Sequence, residues 1–477
     1  MGIHGRIEDN CYGGQKLSNV FSDFDPEKDR AQWEPFRKNI AGKTLAQLRS
    51  ENPELLIFPL EFGVKNIEKE AVFSVKDETG EEKIVTGNLM GFVGYKGCSL
   101  SIASRFYPNG NDYFLHYMLA RASGAHIVDF DFGRQNDSIW DFLPYLFPQC
   151  LAYAWRQGVY RVNRRMERND SHVRGTIDVA RHIRQNIPFQ GNVAYSFSEK
   201  TINNSVNRII RLTIDVLEKD RRYAPLFNSG DKVFLDAVNQ IKQNIGACDV
   251  ANKSNIIKEN LRPVSHPLFS RYKTLQKLCL AILRHDKLTF GSDSDKIHGI
   301  LFDGSWLWEE YLSKIMLAGI THSDNRNRKN GVNALQRSWA WYPDFYRKGD
   351  AAIVLDAKYK RLDGGRELDE GIGASDQHQI VSYMYILKAR YGGFVFPYPI
   401  SMRQDDIKLQ VLGTLAGFGG TVAKIGIPIL TGATSYSNFV ECMKEIEEQL
   451  GKVESKFKER KDACLSAVDL TTGKLSH

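Results

Sequence analysis

The stretch that decides the fold is YPDFYRKGDAAIVLDAKYK, residues 342–360. Its apolar run ends in Asp356 and Lys358 with one alanine between them, and a further acid, Asp344, stands earlier, directly after a proline. In a strand, Asp356 and Lys358 point to the same side because alternate residues share a face. A turn at RKGD folds the strand back on itself and brings Asp344 close to register with Asp356. We therefore predict a β-hairpin that gathers two carboxylates and an ammonium group on one patch.

This patch of charge predicts a metal-dependent catalytic site. Like charges so close together repel, so a cation is needed to keep both carboxylates ionised. Mg²⁺, a hard ion that prefers oxygen ligands, meets this need. A lysine beside the ion can orient a water molecule or help to deprotonate it, while the ion lowers the pKa of that water and stabilises charge on a phosphoryl oxygen. An ion pair on a solvated strand face is the plain alternative for the same residues.

Two flanking helices are expected to add polar groups to this patch. The segment SWLWEEYL carries Glu309 and Glu310 on an otherwise apolar helix, and either one can supply a third acid. The segment SDQHQIVSYMYI places Asp376, Gln379 and Tyr383 on one helical face. In both helices a solvated or simply amphipathic face is the alternative interpretation.

The composition is that of a globular protein with several domains. The chain has 477 residues, of which 42% are hydrophobic and 25% charged, and this length exceeds what one core organises. A net charge of +7 suits a nucleic-acid partner. The seven cysteines include no CxxC pair, which argues against a disulfide framework and a structural zinc site. We find no signal-peptide pattern and no apolar stretch that is long enough to cross a bilayer, so we expect a cytoplasmic protein without membrane contact.

Changes in pattern divide the chain into four predicted segments. Residues 1–53 are polar and are expected to form an irregular extension. Residues 54–111 contain short apolar runs between turn residues, which is typical of a β-rich domain. Residues 112–290 show helical spacing of apolar residues. Residues 291–477 order as helix, hairpin, helix, strands and a last helix, so the predicted fold class is α/β, in a multidomain α+β chain.

These residues resemble a known nuclease family. The hairpin of residues 342–360, followed by DQHQIVSY, is similar to the PD-(D/E)xK nuclease core. It is most similar to the version in McrC, the nuclease subunit of McrBC-type, GTP-dependent restriction systems, including their LlaJI-like relatives. The resemblance extends over about 80–477 through VTGNLMGFVGYKGCSLSIASRF, HVRGTIDVARHIRQN, NNSVNRIIRLTIDVL and LWEEYL. It implies a PD-(D/E)xK restriction-endonuclease-like fold for residues 291–477.

The resemblance also implies roles for individual residues and for partners. Asp344 and Asp356 correspond to metal ligands, and Lys358 corresponds to the catalytic lysine. Glu309 corresponds to an auxiliary acid and further metal ligand, and Gln379 is expected near the scissile phosphate or as a support of the site. The implied protein is a Mg²⁺-dependent subunit that cuts double-stranded DNA. Its implied partner is a hexameric, McrB-like AAA+ GTPase that docks on the helical middle region.

Two basic stretches are further candidates for contact with DNA. They are Arg161, Arg164 and Arg165 in the middle region, and Arg326, Arg328 and Lys329 just ahead of the hairpin. The first set is predicted to contact phosphates or an acidic partner surface, with a solvated helix face as the alternative. The second set is predicted to touch the DNA backbone beside the cut, and a polar loop without such a role is an equal alternative.

One further motif is interpreted as a coincidence. Gly42-Lys43-Thr44 matches the end of a P-loop, but Arg37 stands where the first glycine belongs, so we predict a helix start and no NTPase in this chain. Two other functions stay open: a non-catalytic activator of the AAA+ partner, and a stand-alone DNA repair nuclease of the RecB or Cas4 kind. The intact hairpin triad argues against the first. The lack of a cysteine set around the nuclease core argues against the second.

Overall fold

The protein is seen in a computed structural model, which describes residues 3–22, 24–25, 27–52, 55–59, 69–78, 81–107, 112–122, 143–228, 231–247, 252–284, 297–316, 319–323, 330–335, 338–350, 352–362, 371–402, 407–417 and 419–450. The chain divides into two compact units. Unit 1 combines Met1–Phe142 with Thr289–His477, and unit 2 is Leu143–Leu288. Unit 1 therefore draws on both ends of the chain.

The helices and strands follow in chain order. The first part of unit 1 contains β1 (Ile3–Glu8), β2 (Gln15–Lys16), α1 (Leu17–Val20), α2 (Arg30–Ile40), α3 (Leu45–Glu51), β3 (Leu55–Phe58), β4 (Phe73–Glu78), β5 (Glu81–Thr86), β6 (Leu89–Tyr95), β7 (Cys98–Ala103) and α4 (Tyr113–Ala122). Unit 2 contains α5 (Leu143–Trp155), β8 (Val162–Asp170), β9 (Thr176–Ile177), α6 (Val179–Gln185), β10 (Val193–Thr201), α7 (Ser205–Lys219), α8 (Lys232–Asn244), α9 (Lys253–Glu259) and α10 (Ser270–Arg284). The second part of unit 1 contains β11 (His298–Asp303), α11 (Gly304–Ile315), β12 (Thr321–His322), β13 (Val332–Leu335), β14 (Ser338–Trp341), β15 (Phe345–Arg347), β16 (Ile353–Ala357), α12 (Ala374–Leu387), β17 (Tyr391–Ile400), β18 (Lys408–Thr414), β19 (Thr421–Leu430) and α13 (Tyr436–Leu450). The mixed α/β, multidomain class predicted from the sequence is confirmed.

The first 53 residues differ from the irregular extension that was expected. Helix α2 buries Trp33, Phe36 and Ile40, which recur at helical spacing and pack into the core of unit 1. The charged residues between them obscure this spacing in the sequence. Thr44 caps helix α3 in a capping box with Gln47, so the prediction that the GKT motif marks a helix start is confirmed.

A five-stranded sheet joins the two ends of the chain within unit 1, in the order β1-β7-β6-β11-β3 among the described strands. Strand β11 runs antiparallel to β6 and parallel to β3. Gly91 and Gly299 permit the close approach of β6 and β11: both have positive φ, and a Cβ on either would lie about 2 Å from a carbonyl oxygen of the opposite strand. The first described strand of the fourth predicted segment, residues 291–477, is therefore a core strand of this sheet.

A six-stranded sheet carries the hairpin that opened the sequence analysis. Its order is β12-β15-β16-β17-β19-β18 in the part of the chain that is described. β15 and β16 form the predicted antiparallel hairpin, and β16, β17 and β19 run parallel to one another. Helix α12 connects β16 to β17, which is the crossover that parallel neighbours require.

Unit 2 contains the helices that helical spacing predicted. It also contains a sheet that was not predicted from the sequence. Strands β8, β10 and β9 form an antiparallel three-stranded sheet over residues 162–201. Strand β8 is exposed along most of its length, and the buried residues of β10, Ala194 and Tyr195, are consecutive, so the sequence there lacks the alternation that normally indicates a strand. The three basic candidates consequently lie at or on strand β8; they are Arg161, Arg164 and Arg165. The alternative prediction, that they lie on a solvated helix face, is wrong.

Candidate active site

The hairpin places Asp344 and Asp356 opposite each other. Phe345 pairs with Leu355 in the antiparallel ladder, and extending this register by one residue sets Asp344 across from Asp356. Residues directly opposite in such a ladder point to the same side of the sheet. The Asp344 carboxylate accepts a hydrogen bond of 2.8 Å from the backbone N–H of Ala357. The cross-strand approach of the two aspartates predicted from the sequence is therefore present in the fold.

Lys358 is held between two carboxylates. Its Nζ lies 2.5 Å from Asp356 Oδ2 and 2.9 Å from Asp376 Oδ1. Asp356 is 1% exposed, so its charge is almost completely removed from water. Burial alone would lower the pKa of Lys358, but the charges and hydrogen bonds of Asp356 and Asp376 outweigh it and raise that pKa. Lys358 is accordingly an ammonium ion in this arrangement.

Asp376 is a member of the site whose role the sequence analysis did not assign. It stands in the first turn of α12 and accepts hydrogen bonds from Lys358 and, at 2.5 Å, from Lys360 Nζ. Burial would raise the pKa of Asp376, but the hydrogen bonds from Lys360 and Lys358 lower it overall. The signal in the sequence was its place on the same helical face as Gln379 and Tyr383, together with the second lysine of the AKYK run.

Gln379 and Tyr383 bond to each other one helical turn apart. Gln379 Nε2 donates to Tyr383 Oη at 3.2 Å, and Tyr383 Oη donates to the carbonyl oxygen of Tyr342 at 3.4 Å. The pKa of Tyr383 is raised, first by burial and also by the negative charges of Asp344 and Asp356, which shows that the phenol lies within electrostatic range of both. Gln379 therefore fixes a tyrosine that bonds the backbone just ahead of Asp344.

Glu309 contacts a histidine that the sequence analysis missed. Its Oε1 lies 3.1 Å from His322 Nε2, and the His322 ring stacks on Phe345 at 5.0 Å between centroids. The neighbouring Glu310 instead accepts a hydrogen bond from the Trp306 indole at 3.2 Å. His322 stands on the short edge strand β12, in a segment without a recognisable pattern, so no signal in the sequence pointed to it. Helix α11 thus presents Glu309 beside β12, the strand that pairs with β15 of the hairpin.

Within the described residues, no group of three or more His, Cys, Asp or Glu side chains is close enough together to hold a metal ion. The opposed Asp344 and Asp356 provide two carboxylates. Mg²⁺ commonly takes one or two protein carboxylates and completes its shell with water and substrate phosphate. The two aspartates therefore fit this ion without a third acidic ligand.

The basic candidates lie in different parts of the chain. Arg161, Arg164 and Arg165 are exposed at the start of β8, an edge strand of the sheet in unit 2. Arg165 Nε is 3.9 Å from Glu167, an exposed and loose pair. Arg326, Arg328 and Lys329 lie outside the described residues.

One protein family matches more than half of the chain in sequence. The sequence model of one family, described as "McrBC 5-methylcytosine restriction system component", matches residues 84–397. The chain belongs to this family. The McrBC-type membership predicted from the motifs is thereby confirmed, and the matched range of this McrBC-family chain includes the hairpin and helix α12.

Two solved structures are similar to the chain at low identity. One is a chain of the refined half-complex from the tetradecameric assembly of Thermococcus gammatolerans McrB AAA+ hexamers with bound McrC; it has 15% identity, 94% coverage of this chain, 100% coverage of that chain and a TM-score of 0.45. The other belongs to the Thermococcus gammatolerans McrBC complex, with 15% identity, 65% coverage of this chain, 86% of that chain and a TM-score of 0.29. Among curated proteins, none matches the chain. No helix in the described part of the chain is long and apolar enough to span a membrane.

Proposed function

We propose that this McrBC-family chain is the Mg²⁺-dependent DNA endonuclease subunit of a GTP-dependent restriction system. The observation that supports this most is the pair of opposed aspartates, Asp344 and Asp356, with the Lys358 ammonium held against one of them. The hairpin, the parallel strands β16 and β17 and the helix α12 between them support a PD-(D/E)xK fold for this part of the chain. Such a site hydrolyses phosphodiester bonds.

In this proposal Asp344 and Asp356 hold the metal. When bound, Mg²⁺ lowers the pKa of a water molecule and stabilises the negative charge on the phosphoryl group. The backbone N–H of Ala357 donates to the Asp344 carboxylate and so holds it beside the end of β16. Lys358, as an ammonium ion, binds a phosphate oxygen or the attacking water and supplies positive charge there.

The flanking residues support the two aspartates. Glu309, held by His322, is proposed as an auxiliary acid of the site and no longer as a metal ligand, since the described residues bring no third such group together with the two aspartates. Gln379 fixes Tyr383, which bonds the backbone carbonyl of Tyr342 next to the Pro-Asp motif. In unit 2, taken by itself, the exposed arginines of β8 are proposed to contact phosphates or an acidic partner surface, because exposed guanidinium groups on an edge strand suit either contact. The basic run before the hairpin is proposed to contact the DNA backbone on the ground of its sequence.

The proposed partner is a McrB-like AAA+ GTPase ring, expected to be hexameric as in the family. Unit 2 offers a surface for it, since residues 173–189 expose several large apolar side chains in a short span. These are Val173, Ile177, Val179, Ile183, Ile187 and Phe189. Scattered single apolar residues on a surface carry little meaning, but a group of this kind is typical of a protein–protein contact. We therefore propose this apolar surface as the docking site of the ring.

The experiment that tests the proposal is cleavage of plasmid DNA in Mg²⁺, alone and with GTP and a McrB-like AAA+ GTPase. Wild type is compared with Asp356→Ala and Lys358→Ala, and Asp350→Ala serves as the control because Asp350 is exposed in the turn of the same hairpin. We expect cutting that needs the partner and GTP, is lost in the two site variants and persists in the control. Stimulated GTP hydrolysis without any cutting would instead indicate an activator subunit. Full cutting by folded Lys358→Ala would contradict the assignment of the site.

A further inference from the structure

The residue that follows Lys358 is anchored in the N-terminal part of unit 1. Strand β16 ends at Ala357, yet Tyr359 is buried. Its hydroxyl group shares a hydrogen bond of 2.7 Å with Ser104 Oγ, and its ring meets Phe106 edge to face at 5.0 Å. The Arg105 guanidinium lies 5.0 Å from the centroid of the same ring. Tyr359 is therefore held by three consecutive residues that are distant in sequence.

Arg105 is in turn fixed by a carboxylate from the start of the chain. Its Nη2 and Nε lie 2.7 Å and 3.1 Å from Asp9 Oδ2, and its backbone N–H donates to Asp9 Oδ1 at 2.6 Å. Nη2 also donates to Asn88 Oδ1 at 2.6 Å. Asp9 is 1% exposed and Arg105 is 6% exposed, so this ion pair lies in the interior. Asp9 directly follows β1, which pairs in parallel with β7, the strand just before Ser104.

Two further contacts tie the lysine segment to the same place. Arg361 donates from its guanidinium to the backbone carbonyl of Arg105 at 3.0 Å. At the start of α11, the helix that carries Glu309, a Cβ on Gly304 would lie 2.7 Å from the Tyr359 ring. Residues 359 and 361, which follow Lys358, are thus both held by residues 104–106, and we call this set of contacts the clamp. Helix α11 packs directly against the clamp.

We propose that Asp9 and Arg105 are positioning residues of the nuclease site, which fix Lys358 through Tyr359. This inference rests on the proposed function. The backbone N–H of Lys358 donates to the Val395 carbonyl oxygen of β17 at 2.8 Å, and the next fixed point along the chain is the buried side chain of Tyr359. Displacement of a catalytic group by about 1 Å reduces a rate by about a hundredfold. Asp9 lies outside the matched residues 84–397, so the segment before the family match would contribute to the site.

The main test variant replaces the ion pair by apolar residues, as Asp9→Leu with Arg105→Met. A buried ion pair exchanged for apolar residues of similar volume commonly leaves folding intact, whereas a single replacement strands one buried charge. The second variant, Ser104→Ala, leaves the ion pair intact and removes the hydroxyl group that bonds Tyr359 and accepts from the backbone N–H of Phe106 at 3.2 Å. The matched control is Glu82→Gln, which breaks an ion pair with Arg37 of 2.7 Å in the same part of unit 1 without touching the clamp.

The measurement is the rate of plasmid cutting with Mg²⁺, GTP and the partner ring as a function of DNA concentration. The double variant should lower kcat about ten- to a hundredfold with an unchanged KM for DNA and unchanged stimulation of GTP hydrolysis. Ser104→Ala should give a smaller decrease in kcat, and Glu82→Gln should give none. A purely structural role would instead lower GTPase stimulation and cutting together.

The outcomes separate this inference from the function on which it rests. Wild-type kcat in the folded double variant would overturn the positioning role and leave the nuclease assignment standing, provided that cutting still requires Asp356. If the double variant does not fold, wild-type kcat in Ser104→Ala overturns the inference in the same way. Absence of cutting by the wild type under all conditions would overturn the proposed function and the inference together.

Discussion

Replacing Lys358 by methionine should make the stability of unit 1 depend on a divalent metal. The Lys358 ammonium lies 2.5 Å from the buried Asp356 carboxylate and 2.9 Å from Asp376. Methionine keeps most of the stem and removes the charge. Breaking a buried ion pair on one side costs about 3–5 kcal/mol of the free energy of unfolding. Since Asp376 keeps its ion pair with Lys360, we expect the lower end of this range.

Metal should restore most of this loss. Two carboxylates opposed across a hairpin, about 5 Å apart, repel by about 3 kcal/mol at an effective dielectric constant near 20. A cation between them replaces repulsion by attraction, and an ion at a hundred times its dissociation constant adds about 2.7 kcal/mol to the free energy of unfolding. In a thermal melt, a loss of about 3 kcal/mol corresponds to a fall of roughly 4 °C in Tm for a unit of about 330 residues.

The assay compares Tm in EDTA, Mg²⁺ and Ca²⁺ for wild type, Lys358→Met and Lys348→Met. Lys348 lies exposed on the same hairpin, so its replacement controls for the loss of a positive charge. We expect Mg²⁺ to raise Tm relative to EDTA in Lys358→Met by more than in wild type or Lys348→Met, because the variant lacks the ammonium that offsets the carboxylate charge. An unchanged Tm of Lys358→Met on adding Mg²⁺ or Ca²⁺ would refute the reasoning, because it would show that the opposed aspartates do not hold a cation.

Three further outcomes are expected. Asp376→Asn should lower the rate of DNA cutting about tenfold in a plasmid assay, because it removes one of the two carboxylates on the catalytic lysine, while Asp350→Asn should leave the rate unchanged. Burial, and next a neighbouring arginine, lower the pKa of His116 from 6.5 to about 3, so only the unfolded chain takes up a proton as pH falls below 6.5. Wild type should therefore lose about 2 kcal/mol more stability than His116→Gln between pH 7.5 and pH 5, as measured by chemical unfolding at the two pH values; equal losses would contradict the neutral buried state. Phe189→Asp should weaken binding of the AAA+ ring and its GTPase stimulation about tenfold or more, whereas Leu268→Asp, an exposed position outside the apolar surface, should not; unaffected binding in Phe189→Asp would move the docking site elsewhere.

Local pattern was sufficient to predict the hairpin and its chemistry. The apolar run before Asp356, the Pro-Asp of Asp344 and the turn between them specify strand, turn and register within one short stretch, and the structure forms this hairpin. The helical face with Gln379 and Tyr383 was equally legible because the spacing of three and four residues is a property of the helix itself. Each of these elements is determined by residues that lie close together in the sequence. One sequence is therefore sufficient to predict it.

Elements that depend on distant partners were not predicted in the same way. His322 reaches Glu309 from an edge strand of two residues, which is too short to leave a pattern. The strands β8 and β10 are paired with each other, but β8 is largely exposed and β10 buries the consecutive residues Ala194 and Tyr195, so their side chains show no alternation. Helix α2 contains an internal proline and many charged residues, and only its contact with the core shows that Trp33 and Phe36 form a buried face.

The residues proposed for catalysis and the residues that hold them in position therefore lie in different parts of this chain. The acids and the lysine that would act on a phosphodiester lie on one hairpin, and the backbone N–H of Lys358 still bonds to strand β17. The chain beyond it is fixed through Tyr359 by Arg105, which follows β7, and by Asp9, which follows β1. Because β11 also enters the N-terminal sheet and leads directly into α11, both sides of the proposed site are supported by residues far from it in sequence. A nuclease domain cut from this chain at residue 291 would keep all the proposed catalytic groups and lose the contacts that fix them.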